Sequence, residues 1–128
     1  ILFKKIIRII QTTSYVSSKS FIEKNAALTH IRTQIYTMPE SVENIDTLAK
    51  HAGMSRSGFQ HLYKKMFGVS VIADVIKGRI DRAKRLLSST TLTVEEVSAK
   101  CGYSNVYGFM RQFKKYCGQT PTEYRKSL

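Results

Sequence analysis

Two stretches of this chain, about fifty residues apart, are versions of one another. Ala52-Gly53-Met54-Ser55 pairs with Cys101-Gly102-Tyr103-Ser104, and Phe59-Gln60-His61-Leu62-Tyr63-Lys64-Lys65-Met66-Phe67-Gly68 pairs with Phe109-Met110-Arg111-Gln112-Phe113-Lys114-Lys115-Tyr116-Cys117-Gly118. The offset is 49 before the turn and 50 after it, so the second turn holds one extra residue. An internal repeat means that one supersecondary unit is used twice. Each copy reads as a helix, a short turn opening on glycine, and a second helix, which is helix-turn-helix spacing. The glycine lets the first helix end in a left-handed residue, so the second can cross it steeply. The second helix then keeps one face for the core and leaves its N-terminal outer face free, the face that can enter a DNA major groove.

The rest of the compact part is also helical in pattern. Leu28, Ile31, Ile35 and Met38 recur at helical spacing up to Pro39, which ends that helix. Asn44 is a candidate cap for a helix over Ile45 to Ala52, with Leu48 and Ala49 inward, and Ser55 is a good cap for the next. Ser70 caps a longer helix whose stripe is Ile72, Val75, Ile76, Ile80, Ala83, Leu86 and Leu87. Its other face is Lys77, Arg79, Asp81, Arg82, Lys84 and Arg85. Thr93 caps a helix with Glu95 and Glu96 in its first turn, Asn105 caps the next, and Pro121 opens a last short one with Tyr124 inward. No strand pattern appears, so the expected fold is all-α, with about seven helices. It is expected as two helix-turn-helix subdomains, 25–70 and 90–128, joined by a linker helix over 71–89. That linker, about 18 residues and roughly 27 Å long, can hold two reading helices about one turn of duplex apart, since successive major-groove faces lie ~34 Å apart.

Charge narrows the partner. The chain carries 21 Lys and Arg against 9 Asp and Glu, a net of +12, which points to a polyanion. Residues 41–128 hold 15 basic and 7 acidic side chains, and the basic pairs Lys64-Lys65 and Lys114-Lys115 recur at the same place in both repeats. Phe59, Leu62, Phe109, Phe113 and Tyr116 fit a core better than stacking platforms for single strands. His30, His51 and His61 with Cys101 and Cys117 make no zinc pattern, so neither metal nor cofactor is expected. Two cysteines are too few for a disulfide framework and fit a reducing compartment. No Ser-His-Asp, phosphate-loop or paired-carboxylate motif occurs, so no enzyme is expected.

Residues 1–24 read differently. The chain begins Ile1-Leu2-Phe3 without Met, which suggests a piece of a longer protein. On a helix, Lys4, Lys5 and Arg8 share one face and Leu2, Phe3, Ile6, Ile7, Ile9 and Ile10 cover the rest. Such a segment can lie on a membrane surface, or it can be the last helix of a missing upstream domain, the preferred reading. The Thr- and Ser-rich stretch from Gln11 to Ser20 predicts a flexible linker.

These residues resemble the AraC/XylS family of bacterial transcription regulators over about Ala27 to Lys126. The likeness rests on Leu48-Ala49, Ala52 through Ser55, Phe59 through Gly68, Arg79-Ile80, Ala83, Leu86-Leu87 and Val97. It closes on Cys101 through Ser104, Phe109, Arg111 through Lys115, Gly118 and Thr120 through Arg125. It departs at Val71, where the family often has Pro. The resemblance implies a seven-helix domain that binds double-stranded promoter DNA in the bacterial cytoplasm, usually as an activator, and that can touch RNA polymerase. A small-molecule effector would act only through an upstream domain. Carried over by position, Arg56, Ser57, Gln60 and His61 would read bases from the first motif, and Val106, Tyr107, Met110 and Arg111 from the second. Arg111 suits guanine O6 and N7, Gln60 suits adenine N6 and N7, and His61 can donate to guanine N7. Lys64, Lys65, Arg82, Arg85, Lys114 and Lys115 would contact phosphates. Gly58 and Gly108 fall inside these helices, either for close approach to DNA or to avoid a clash with a neighbouring helix. The alternatives from other classes are a basic amphipathic membrane-surface function and a protein-only adaptor.

Overall fold

The computed structural model describes residues 2–128, with side chains described from Ser20 onward. Among the described residues the structure is seven α-helices with no strand: α1 Leu2–Thr37, α2 Ile45–His51, α3 Arg56–Phe67, α4 Val71–Ser89, α5 Val94–Lys100, α6 Val106–Cys117 and α7 Pro121–Lys126. A single 3-10 turn, Pro39–Ser41, follows α1. The backbone of 11–20 is helical within α1, which corrects the expectation of a flexible linker there. Ser and Thr each cost well under 1 kcal/mol in a helix, and no Gly or Pro between 2 and 37 breaks it. The expected face of Lys4, Lys5 and Arg8 lies outside the described side chains.

Every helix after α1 starts at the cap its sequence offers. Asn44 accepts from the Thr47 N–H at 2.8 Å, Ser55 from Gly58 at 3.2 Å and Ser70 from Ala73 at 3.1 Å. Thr93 and Thr120 form reciprocal capping boxes with Glu96 and Glu123. Each cap satisfies an N–H that would otherwise lack a partner, a contribution of about 1 kcal/mol. The two motif turns pass through Gly53 at φ +66° and Gly102 at φ +92°, left-handed backbone that glycine enters without a Cβ penalty.

Two separate cores result. The first joins Leu28, Ile31 and Ile35 of α1 to Leu48, Ala49, Phe59, Tyr63, Val71 and Val75. The second joins Ile80, Ala83 and Leu87 of α4 to Val97, Cys101, Phe109 and Phe113, with Tyr124 of α7 against it. Thus α4 gives its first half to one core and its second half to the other. Its 19 residues make a rod about 28 Å long. Two expectations are corrected here. Tyr116 is 50% exposed, because the second core is closed by six-residue α7 and no long helix corresponding to α1 covers it. Ile72 is 46% exposed and lines a groove instead of a core.

The crossing of α1 and α4 depends on a small residue. A Cβ on Gly78 would stand 2.6 Å from the Ile35 carbonyl oxygen and 3.4 Å from Cβ of Pro39. Gly78→Ala must push the helices apart, so it is expected to lower unfolding stability by about 1–2 kcal/mol, measured by urea denaturation. Unchanged stability would show that the crossing has slack.

Asp74 lies buried in the inner face of α4. It accepts from Arg32 Nε at 3.1 Å and from the hydroxyls of Tyr36 at 2.9 Å and Tyr63 at 2.7 Å. Burial first, then the Asp74 hydrogen bond, push the Tyr63 hydroxyl well above the ordinary tyrosine range. This cluster ties α1 and α3 to α4. Cys101 and Cys117 are free thiols, and burial pushes the Cys101 thiol up to about 11. Cys101 therefore stays protonated at neutral pH and packs as a small apolar group.

Candidate nucleic-acid interface

The second helix of each motif, α3 or α6, turns one face inward and the rest outward. In α3, Phe59 and Tyr63 are buried while Arg56, Ser57, His61, Lys64 and Lys65 are exposed and Gln60 is half-buried. Gln60, His61, Lys64 and Lys65 line a depression of about 410 Å³ with Ser70. In α6, Phe109 and Phe113 are buried, Tyr107 is 72% exposed, and Arg111, Lys114 and Lys115 are exposed. Val106 is half-buried, and Met110 packs partly against the second core, so less of its side chain faces outward.

Neither α3 nor α6 contains a carboxylate. By contrast α2, α4, α5 and α7 all carry an acid in the first turn: Asp46, Asp74, Glu95 with Glu96, and Glu123. An acid there would neutralise the positive end of the helix dipole. In α3 and α6 that end stays positive, which favours an approaching anion. This signal was present in the sequence as the spacing of nine acidic residues. Arg56 lies 3.3 Å from Asp46, but both side chains are more than half exposed. Such a pair contributes little and can open.

Arg82 and Arg85 fare differently. Arg85 is exposed at the end of α4. Arg82 is turned inward: its Nε donates to the Lys100 carbonyl at 2.9 Å and lies 3.5 Å from Glu40. It ties α4 to the end of α5 through Nε, and its side chain keeps 29% exposure. A helical wheel fixes where a side chain leaves the helix, not where a long arginine returns. Two other arginines hold the frame in the same way. Arg79 Nη2 donates to the Val42 carbonyl at 3.0 Å and its guanidinium stands 5.3 Å over the Tyr103 ring, linking the two motifs. Tyr103 in turn hydrogen-bonds Gln112 of α6, and burial pushes its hydroxyl up to about 12. Arg125 donates to the carbonyls of Leu87, Thr90 and Leu92, closing the α4–α5 connection. The outer faces of α3 and α6 are thus mounted on a braced frame.

Among the described residues no group of His, Cys, Asp or Glu could hold a metal ion, and no helix is long and apolar enough to cross a membrane.

A family profile described as a helix-turn-helix domain matches residues 48–127. The chain is 36% identical over 81 residues to the xylose operon regulatory protein of Escherichia coli strain K12, covering 63% of this chain and 21% of that protein. It is 40% identical over 82 residues to the F1 operon positive regulatory protein of Yersinia pestis, covering 64% of this chain and 27% of that protein. The chain therefore spans only about a fifth to a quarter of the length of these relatives. Its fold is similar to the DNA-binding domain of AdpA, a global transcriptional factor solved in complex with a target DNA. The TM-score is 0.71 at 27% identity, over 78% of this chain and 90% of that one.

Proposed function

The chain belongs to the AraC/XylS helix-turn-helix family, and on that premise we propose that it is the DNA-binding part of a transcription regulator and reads double-stranded DNA with α3 and α6. One observation carries the reading furthest. Both repeated helices, unlike α2, α4, α5 and α7, pair an outward face of basic and polar residues with a first turn that holds no acid, and both are mounted on one braced rod. The family is one of DNA-binding regulator domains, not enzymes.

In this reading Arg56, Ser57, Gln60 and His61 meet base edges from α3, and Val106, Tyr107, Met110 and Arg111 from α6. Lys64, Lys65, Arg82, Arg85, Lys114 and Lys115 meet phosphates, which position the protein without reading sequence. The subdomains would be 25–70 and 90–128 on a linker helix over 71–89, with 1–24 the end of an upstream domain that senses a small-molecule effector. The direction of control would be activation, a reading supported by likeness to a positive regulatory protein. It would involve RNA polymerase at a promoter in the bacterial cytoplasm. Selection from a random duplex library tests the proposal: enrichment of one sequence supports it, and uniform recovery of all sequences overturns it.

A further inference from the structure

We infer that Gly58 and Gly108 are matched notches in the outward rows of α3 and α6, bare so that a base-pair edge can lie against the helix backbone. The inference rests on the duplex-binding reading above and goes beyond it by placing contact where no side chain exists.

Gly58 stands three residues before His61 and seven before Lys65, and Gly108 stands likewise before Arg111 and Lys115. Residues at these spacings share one helix face. The two glycines therefore occupy the same place in both repeats, on the row that carries the basic outer residues.

Neither glycine is demanded by the backbone. The positive-φ glycines are Gly53, Gly68, Gly102 and Gly118; Gly58 and Gly108 are ordinary helical residues. Nor does packing require Gly108: a Cβ added there meets no heavy atom within 4 Å. That removes the neighbouring-helix clash as its explanation. At Gly58 a Cβ would stand 3.1 Å from Ser55 Oγ and 3.7 Å from Met54 Cε, both side-chain atoms, so the fold supplies part of a reason there. A glycine in a helix interior lowers stability relative to alanine by about 1 kcal/mol, and Gly58 and Gly108, third in α3 and α6, carry part of that loss in the capped first turn. At Gly108 no described atom within 4 Å of the missing Cβ offsets that loss, which leaves an external contact as the compensation we infer. The first turn of a reading helix is where base edges approach most closely, and Tyr107 beside it offers a large apolar surface to the same groove.

Gly108→Ala tests this on the full chain, with the duplex selected from the library and a random duplex of equal length as probes. The variant is expected to melt at a higher temperature. It should bind the selected duplex roughly tenfold more weakly, about 1.4 kcal/mol, and the random duplex as wild type does. Unchanged or tighter binding to the selected duplex overturns the inference, as does an equal loss on both duplexes or a lower melting temperature. Failure of the wild-type chain to bind any duplex would instead overturn the duplex-binding reading beneath it.

Discussion

Asp74→Ala is expected to lower unfolding stability by about 3 kcal/mol, read by urea denaturation followed by circular dichroism. Asp74 is 3% exposed and accepts three hydrogen bonds, one from the guanidinium of Arg32. Tyr63 is fully buried, so its hydroxyl would be left without a partner and without water. An orphaned buried donor carries its whole desolvation cost, and a charge-assisted bond is lost as well. Arg32 is 31% exposed and can turn to solvent, which keeps the loss below that of a fully buried ion pair. Asp74→Asn keeps an acceptor for Tyr63 and is expected to lose less than alanine does. A loss under about 1 kcal/mol for alanine would mean that the cluster does not tie α1 and α3 to α4.

Arg111→Ala is expected to weaken binding to the selected duplex by about 1–3 kcal/mol and to relax the choice at one base pair. Arg111 is exposed on the outer face of α6, with no acid anywhere on that helix to hold it back. A guanidinium free to present its fork can bind guanine O6 and N7 together. Lys115→Ala should instead weaken all duplexes evenly, because a phosphate contact carries no sequence information. Competition titrations with site variants at one fixed salt concentration separate the two. If both substitutions lowered affinity for every sequence alike, Arg111 would be a phosphate contact.

Local rules carried most of the fold. The caps Asn44, Ser55, Ser70, Thr93 and Asn105 were legible because a short polar side chain before an apolar run has one favoured use. The repeat located both motifs because the turn glycines and core aromatics recur together. What stayed hidden depends on the long-range paths of side chains. Asp74 sits in phase with Val71, Val75 and Gly78 on the buried side of α4. That was a visible anomaly, yet its partners are 11 to 42 residues away. Arg79, Arg82 and Arg125 were indistinguishable in sequence from solvent-facing cations, because a flexible four-atom arm can fold back onto a carbonyl. Tyr116 repeats the place of Met66 but lies half exposed, since the two cores are closed by helices of unequal length. The outer residues of α3 and α6 were legible by position, because the repeat fixed which face the core takes.

The spacing of the two reading helices on one rod is most directly tested by the sequence motif that the chain selects from a random duplex library. Two readers held by a 19-residue α4 predict a two-part motif, its halves centred about one helical turn of DNA apart, roughly 10 base pairs. Arg111→Ala should degrade only the half read by α6. A single short motif, with that half absent from the wild-type selection, would contradict the account.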